Sequence, residues 1–237
     1  MTKPLGSIPE LYDTYLVPMI FEEFADDLAG RVAALAPENV LETAAGSGVV
    51  TRALAARLPP SAHYVVTDLN QPMIDHAQRQ QGPDNRIKWQ QADALSLPFA
   101  DASFDLVLCQ FGVMFFPDKV AGYREARRVL KPGGRFLFSV WDHIGVNEFA
   151  DVVTQTATAV FPEDPPQFMA RTPHGYHDLG EIRKHLADAG FADPSISTIT
   201  KSSPAPSPRH AAVAYCEGTP LRGEIEARDA NLLDHVT

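Results

Sequence analysis

Residues 39–48 constrain this chain more than any other stretch. They read Asn-Val-Leu-Glu-Thr-Ala-Ala-Gly-Ser-Gly, an apolar strand followed by a small-residue turn, and apolar residues then recur at helical spacing over 49–58. Gly46 and Gly48 permit positive φ and let the backbone approach a ligand closely, while the amides that open the next helix face whatever is bound there. A turn of this composition also serves plain packing, so the neighbouring stretches have to decide between the two readings.

The neighbours repeat one arrangement. Residues 63–67 form a β-branched run that ends in Asp68, about twenty positions past the glycine turn, where an acidic side chain can accept both hydroxyls of a ribose. Asp68 could instead cap the helix that follows. Residues 87–91 are a third strand, and Asp93 stands just beyond its end, placed to accept from the exocyclic amine of a purine with Leu69 and Ala94 as walls, or to cap a turn. Residues 104–109 are nearly all apolar, as suits a central parallel strand covered on both faces. A helix over 119–130 is stopped by Lys131-Pro132-Gly133-Gly134, and 135–141 is a fifth strand. Strands alternating with helices predict an α/β fold, a doubly wound, Rossmann-like, mostly parallel sheet with helices on both faces and ligands at the carboxyl edge. All the candidate positions fall on that edge.

The totals narrow the classes. A net charge of −10 over 237 residues and a pI near 5.2 argue against nucleic acid, because phosphate binders carry a clustered basic face. The cluster Arg124, Arg127, Arg128 and Lys131 reads as one solvated helix face. No apolar run is long enough to span a bilayer, and residues 1–6 lack a signal-type apolar region, so a cytoplasmic enzyme is expected. Cys109 and Cys216 stand in unlike contexts and indicate neither a disulfide nor a metal site.

With these residues aligned, the chain resembles the class I S-adenosylmethionine-dependent methyltransferases, and is most similar to the small-molecule group that includes quinone-biosynthesis methyltransferases. The resemblance covers roughly residues 10–200. The family's acidic residue and three alternate glycines fall on Glu42, Ala44, Gly46 and Gly48, so Ala44 replaces the first glycine and adds a methyl expected to tighten the turn. The resemblance implies S-adenosylmethionine as cofactor and S-adenosylhomocysteine as product, with Asp68 on the ribose and Met73 beside the adenine. It implies Asp93 and the amide of Ala94 on the adenine amine, with Gln110 and Phe111 along the methionine part. The turn before strand five is a further hallmark of the family. A nicotinamide-dependent oxidoreductase is the rival class, but Thr51 stands where its third glycine would be. Two more classes share the same glycine turn and strand-end acids: a cofactor-binding module without turnover, and a methyltransferase acting on proteins.

Methyl transfer is an in-line displacement that asks for alignment, exclusion of water and a deprotonated nucleophile. His143, just past a central strand end, is the candidate base, and Tyr15 a second candidate. Tyr12, Trp141, Asp142, Arg171, His174, Tyr176 and His177 complete the acceptor-side set. The expected organisation is an N-terminal helical flap (1–36) broken at Pro18 or kinked there as a core helix, a cofactor-binding core (37–142), a helical lid (143–178), and a C-terminal part of the core (179–237) with a sixth strand over 195–200. Phe149, Val153, Phe161, Phe168 and Met169 would give the lid an apolar face suited to a small, partly apolar acceptor. The family's last antiparallel strand is not visible after 208. Either the chain is cut short or the sheet edge is completed otherwise, as by a homodimer.

Overall fold

Alternation of buried side chains along the strands builds the sheet from both sides. The computed structural model describes residues 8–237, so the start of the chain read above for a signal segment lies outside the described residues. The chain divides into two compact units, one of Glu22–Val140 with Asp178–Lys201, the other of the segment up to Phe21 with Trp141–His177 and Ser202–Thr237.

In the first unit five strands, β1 (Asn39–Glu42), β2 (His63–Asp68), β3 (Ile87–Gln91), β4 (Phe104–Gln110) and β5 (Leu130–Ser139), form a wholly parallel sheet in the order β3-β2-β1-β4-β5. Val40, Tyr64, Val66, Leu106 and Leu108 face one way, against Ala25, Leu28, Ala29 and Val32 of α2 (Glu22–Ala33) and Val50 and Leu54 of α3 (Val49–Ala55). Leu41, Phe104 and Val107 face the other way, against Ala126 and Val129 of α5 (Lys119–Val129), on which α8 (Leu179–Asp188) packs. Parallel strands covered on both faces need this two-sided apolar pattern. Because every strand runs the same way, Glu42, Asp68, Gln91, Gln110 and Ser139 all end on one edge. The helix α4 (Gln71–Gln81) leaves β2 from that edge, with Pro72 in its first turn.

The Lys131-Pro132-Gly133-Gly134 turn is taken into β5 as an irregularity. Leu130 pairs with Phe104 and Arg135 already with Leu106, so four residues bulge where one partner stands. Asp105 holds the bulge: its carboxylate accepts from Lys131 Nζ at 2.7 Å and from the backbone N–H of Asn39 at 2.8 Å. Partial burial alone would raise its pKa, but these bonds outweigh it and set the group at about 2.

Two expectations fail here. Residues 195–200 form no strand. Their apolar members, Ile196 and Ile199, lie three apart among serines and threonines, a spacing that puts no continuous apolar face on a pleated strand. Pro18 does not break the N-terminal helix either. It lies inside a π-helical segment, Tyr12–Phe21, which follows α1 (Ile8–Leu11) directly and precedes α2 directly. The wider π turn moves the carbonyls that an α-helix would press onto the proline ring.

The second unit is helical. The π-helical segment packs on α9 (Pro208–Gly218), which also meets α6 (Glu148–Val160) and α10 (Leu221–Asp229). Glu224 of α10 accepts from the N–H groups of Gln167 and Phe168 at 2.9 and 3.1 Å, and Arg228 donates to Asp164 Oδ1 at 3.0 Å, so the chain before and within α7 (Phe168–Arg171) is tied to α10. Among the described residues no helix is long and apolar enough to cross a membrane.

Leu108, fully buried in the strand beside β1, sets the sheet's expected stability. Leu108→Ala should cost about 3 kcal/mol in urea unfolding; a loss below about 1 kcal/mol would contradict its place in the core under α2 and α3.

Candidate functional site

The loop after β1 is fastened to both neighbouring strands. Thr43 N–H donates to Leu108 O at 2.9 Å, Ala45 N–H to Thr67 O at 3.0 Å, and Gly46 N–H to Asp68 Oδ2 at 2.8 Å. Ala44, Gly46 and Gly48 all adopt the left-handed conformation, at φ of 52°, 56° and 80°. A side chain on Gly48 would come within 2.8 Å of the Ala77 Cβ, whereas one on Gly46 would meet nothing within 4 Å. Gly48 is therefore required for packing on α4, and Gly46 borders open space. Ala44 bears strain of about 1 kcal/mol, as a non-glycine in that region does. A Cβ at Gly112 would lie 2.5 Å from the Ala44 Cβ and 2.7 Å from Cys109 Sγ. The methyl that departs from the glycine pattern thus sits against a position that must itself lack a side chain. Phe111 is held at φ 51°, donates its N–H to Ser139 O at 3.1 Å and packs edge-on against Phe24 at 5.5 Å.

Three carboxylates stand at or just past the ends of the first three strands, each in a different setting. Glu42 is 1% exposed; its Oε2 accepts from Thr51 Oγ1 at 2.7 Å and from the Tyr64 hydroxyl. Burial pushes its pKa up to about 7; the two hydroxyl bonds pull it down, the charge of Asp68 raises it further and Arg52 opposes. The carboxyl of Glu42 thus faces the interior beneath the loop. Asp68 Oδ1 accepts from Asn70 N–H and Oδ2 from Gly46 N–H, both at 2.8 Å, and burial raises its pKa against these bonds. A carboxylate has about four acceptor positions, so Asp68 retains capacity for further donors. Asp93 is exposed, with Oδ1 accepting from Leu95 N–H at 2.9 Å and its carbonyl from Ser96 N–H at 3.0 Å. It does cap a turn, and its other carboxylate oxygen makes no bond among the described residues.

Leu69, between Asp68 and α4, is 66% exposed, and Met73 and Ala94 are half-buried on the same edge. Gln110 is half-buried and Phe111 buried at the end of β4. The hydroxyls of Ser47 and Ser139 are buried without a hydrogen-bond partner among the described residues. Open space over Gly46, an unmet acceptor on Asp68, an uncovered apolar side chain and unpartnered hydroxyls suit a ligand with a ribose, a flat base and a polar tail. The residues present therefore fit an adenosyl cofactor.

The acceptor-side candidates belong to the helical unit. His143 is exposed, and its Nδ1 accepts from Gly145 N–H at 3.1 Å, capping a short turn. In that contact the neutral ring carries its proton on Nε2. Tyr15 lies against His210, ring centroids 4.8 Å apart. His174, 4% exposed, has Nδ1 at 2.9 Å from Asp142 O, which fixes the opposite tautomer, and burial lowers its pKa. Rings form a row from Tyr12 to Phe21 (5.1 Å), Trp141 (5.9 Å) and His174 (6.1 Å).

Sequence reasoning missed Thr51, Tyr64 and Gly112. A tyrosine on the buried face of a strand needs a partner for its hydroxyl, and that was the available signal for Tyr64.

The relationships of the chain agree with this geometry. Residues 41–138 match the family model described as a methyltransferase domain. Over 173 residues the chain is 36% identical to a ubiquinone/menaquinone biosynthesis C-methyltransferase of Hahella chejuensis, covering 70% of this chain and 67% of that protein. A demethylmenaquinone methyltransferase of Clavibacter sepedonicus is 42% identical over 106 residues, which span 45% of this chain and 42% of that relative. A crystal structure of a Bacillus halodurans protein described as a candidate methyltransferase superposes with a TM-score of 0.53 at 26% identity, over 70% of this chain and 68% of that one. The chain belongs to the class I S-adenosylmethionine-dependent methyltransferases, in the group similar to the quinone-biosynthesis enzymes. Its cofactor is S-adenosylmethionine, and the nicotinamide class is not favoured.

Ala44→Gly is expected to stabilise the protein by about 1 kcal/mol through relief of strain. Gly112→Ala should destabilise it by about 2 kcal/mol or more, and part of that cost should disappear in the Ala44→Gly background; additive melting shifts would show that the two positions do not touch. A second outcome concerns charge. Because folding raises the pKa of Glu42, its contribution to stability is full below the unfolded value of about 4.5 and falls as pH rises toward about 7. Glu42→Gln should therefore gain on the wild type between about pH 5 and pH 8, by on the order of 2 kcal/mol in denaturant titrations.

Proposed function

We propose that this chain transfers the methyl group of S-adenosylmethionine to a small, partly apolar ring compound, at carbon, by in-line displacement. The observation that carries the reading is the row of aromatic rings Tyr12, Phe21, Trp141 and His174 in the helical unit, which suits recognition of a flat acceptor. The names of the relatives, a ubiquinone/menaquinone biosynthesis C-methyltransferase and a demethylmenaquinone methyltransferase, support a quinone-type ring.

In this reading Asp68 accepts from the ribose hydroxyls, and Asp93 with the Ala94 amide holds the adenine amine. Leu69 and Met73 cover the base. Ala44, Gly46 and Gly48 shape the loop along the methionine part, where Gln110 and Phe111 complete the wall. Glu42 acts from beneath the loop. The cofactor supplies an electrophilic methyl on a sulfonium. The protein's part is alignment and exclusion of water, and for attack by a ring carbon a group that accepts the displaced proton. His174, whose Nδ1 contact with Asp142 O leaves Nε2 to accept, supports that role, and His143 is the second candidate for it.

Asp68→Ala should weaken S-adenosylhomocysteine at least several-fold in calorimetry, because it removes charge-assisted bonds to two hydroxyls. Acceptor class is tested by incubating the protein with methyl-labelled S-adenosylmethionine and a demethylated naphthoquinol, a simple phenol or a basic peptide. Label in the naphthoquinol ring is expected. Label confined to the peptide would overturn the small-molecule reading, and no label in any acceptor would favour a binding module.

A further inference from the structure

A fully buried carboxyl of the sheet unit lies directly under its ligand-binding edge, held by two hydroxyls from different elements. Glu42, Thr51 and Tyr64 are each at most 1% exposed, and both hydroxyls converge on the same oxygen, Glu42 Oε2. Thr51 belongs to α3, the helix that the glycine loop opens, and Tyr64 to β2, the strand that ends in Asp68. Thr67 Oγ1 adds a bond to the Glu42 carbonyl at 2.8 Å. One side chain thus joins the end of β1, the start of α3 and the strand carrying Asp68.

We propose that Tyr64 is a positioning residue for cofactor capture, acting with Thr51 through the Glu42 carboxyl, and that this carboxyl gives up a proton when the cofactor binds. The inference rests on the cofactor site read at the glycine loop. A single oxygen accepts two hydroxyl donors best as a carboxylate. Protonated Glu42 has less to offer them, and the joint between loop and strand loosens. The charged and titratable groups around it are Tyr64 and Asp68 from β2, Arg52 from α3 and Cys109 from β4. Cys109 is kept neutral by burial, which pushes its thiol up to about 12, and Arg52 is a fixed cation. Asp68 is the variable neighbour. Its charge opposes ionisation of Glu42, and donors arriving on Asp68 would spread that charge and relieve the opposition. The carboxyl stands at about 7 before that relief, so binding would move it within the range where a proton is lost.

The test is calorimetric titration with S-adenosylhomocysteine between about pH 6 and pH 9, in two buffers of different ionisation enthalpy. Wild-type affinity should rise several-fold toward the alkaline end, with a proton released on binding near the midpoint. Glu42→Gln should give a flat profile. Tyr64→Phe removes a donor that favours the carboxylate, so its midpoint should move to higher pH, with weak binding near neutrality that recovers at about pH 9. Thr51→Ala should shift the profile the same way and Thr51→Ser should restore it, which carries the test if Tyr64→Phe does not fold. A lowered melting temperature with an unmoved profile in Tyr64→Phe and Thr51→Ala, or a wild-type profile retained in Glu42→Gln, would overturn the proposal. Failure of the wild type to bind at any pH would overturn the cofactor site itself, and this inference with it.

Discussion

The carboxyl of Glu42 is buried where three segments meet, and the geometry of the site follows from how it is satisfied. An isolated carboxylate in such a place is costly unless it is hydrogen-bonded. The two hydroxyls that satisfy it come from the next helix and the next strand. That arrangement fixes the turn between β1 and α3, and the turn in turn presents Gly46 N–H to Asp68 at 2.8 Å. The unit trades some stability at neutral pH for a loop held in one conformation. Functional edges commonly carry such a cost.

The same edge also stores strain. Ala44 and Phe111 are two of the four non-glycine residues at positive φ among the described residues, and they follow the adjacent strands β1 and β4. Gly112 allows both turns to stand side by side, because the space beside it is filled by the Ala44 methyl and the Cys109 sulfur. The opposite edge is built differently. There the bulge at the start of β5 is held by an ion pair between Lys131 and Asp105 at 2.7 Å.

Much of this was legible in the sequence. The β-branched and apolar runs marked the central strands β1, β2 and β4, because strands buried on both faces have little polar content to confuse the pattern, while the half-buried edge strands β3 and β5 were placed by their order after helix and turn. The glycine turn, Asp68 and Asp93 could be placed on one edge from order and spacing. What remained hidden depended on side chains meeting across the fold. Thr51 counted only as a missing glycine, and its hydroxyl proves to hold Glu42. Glu42 itself was grouped with cofactor-facing residues, although its carboxyl faces inward. The contact of His143 Nδ1 with the N–H of Gly145 was likewise not legible from its position past a strand end. Pro18 pointed to a broken or kinked helix because both readings took an α-helix, and a π turn removes the clash. The strand expected over 195–200 rested on β-branched composition without a face to bury.

The glycine loop, anchored from below by Glu42, is where the cofactor is held in this account. Hydrogen–deuterium exchange with and without S-adenosylhomocysteine tests that placement most directly. Slowed exchange is predicted at the amides of residues 43–51, 68–70 and 93–95, with no change at the bulge over 130–135 on the far edge. Protection at the bulge, with the loop amides exchanging as before, would contradict it.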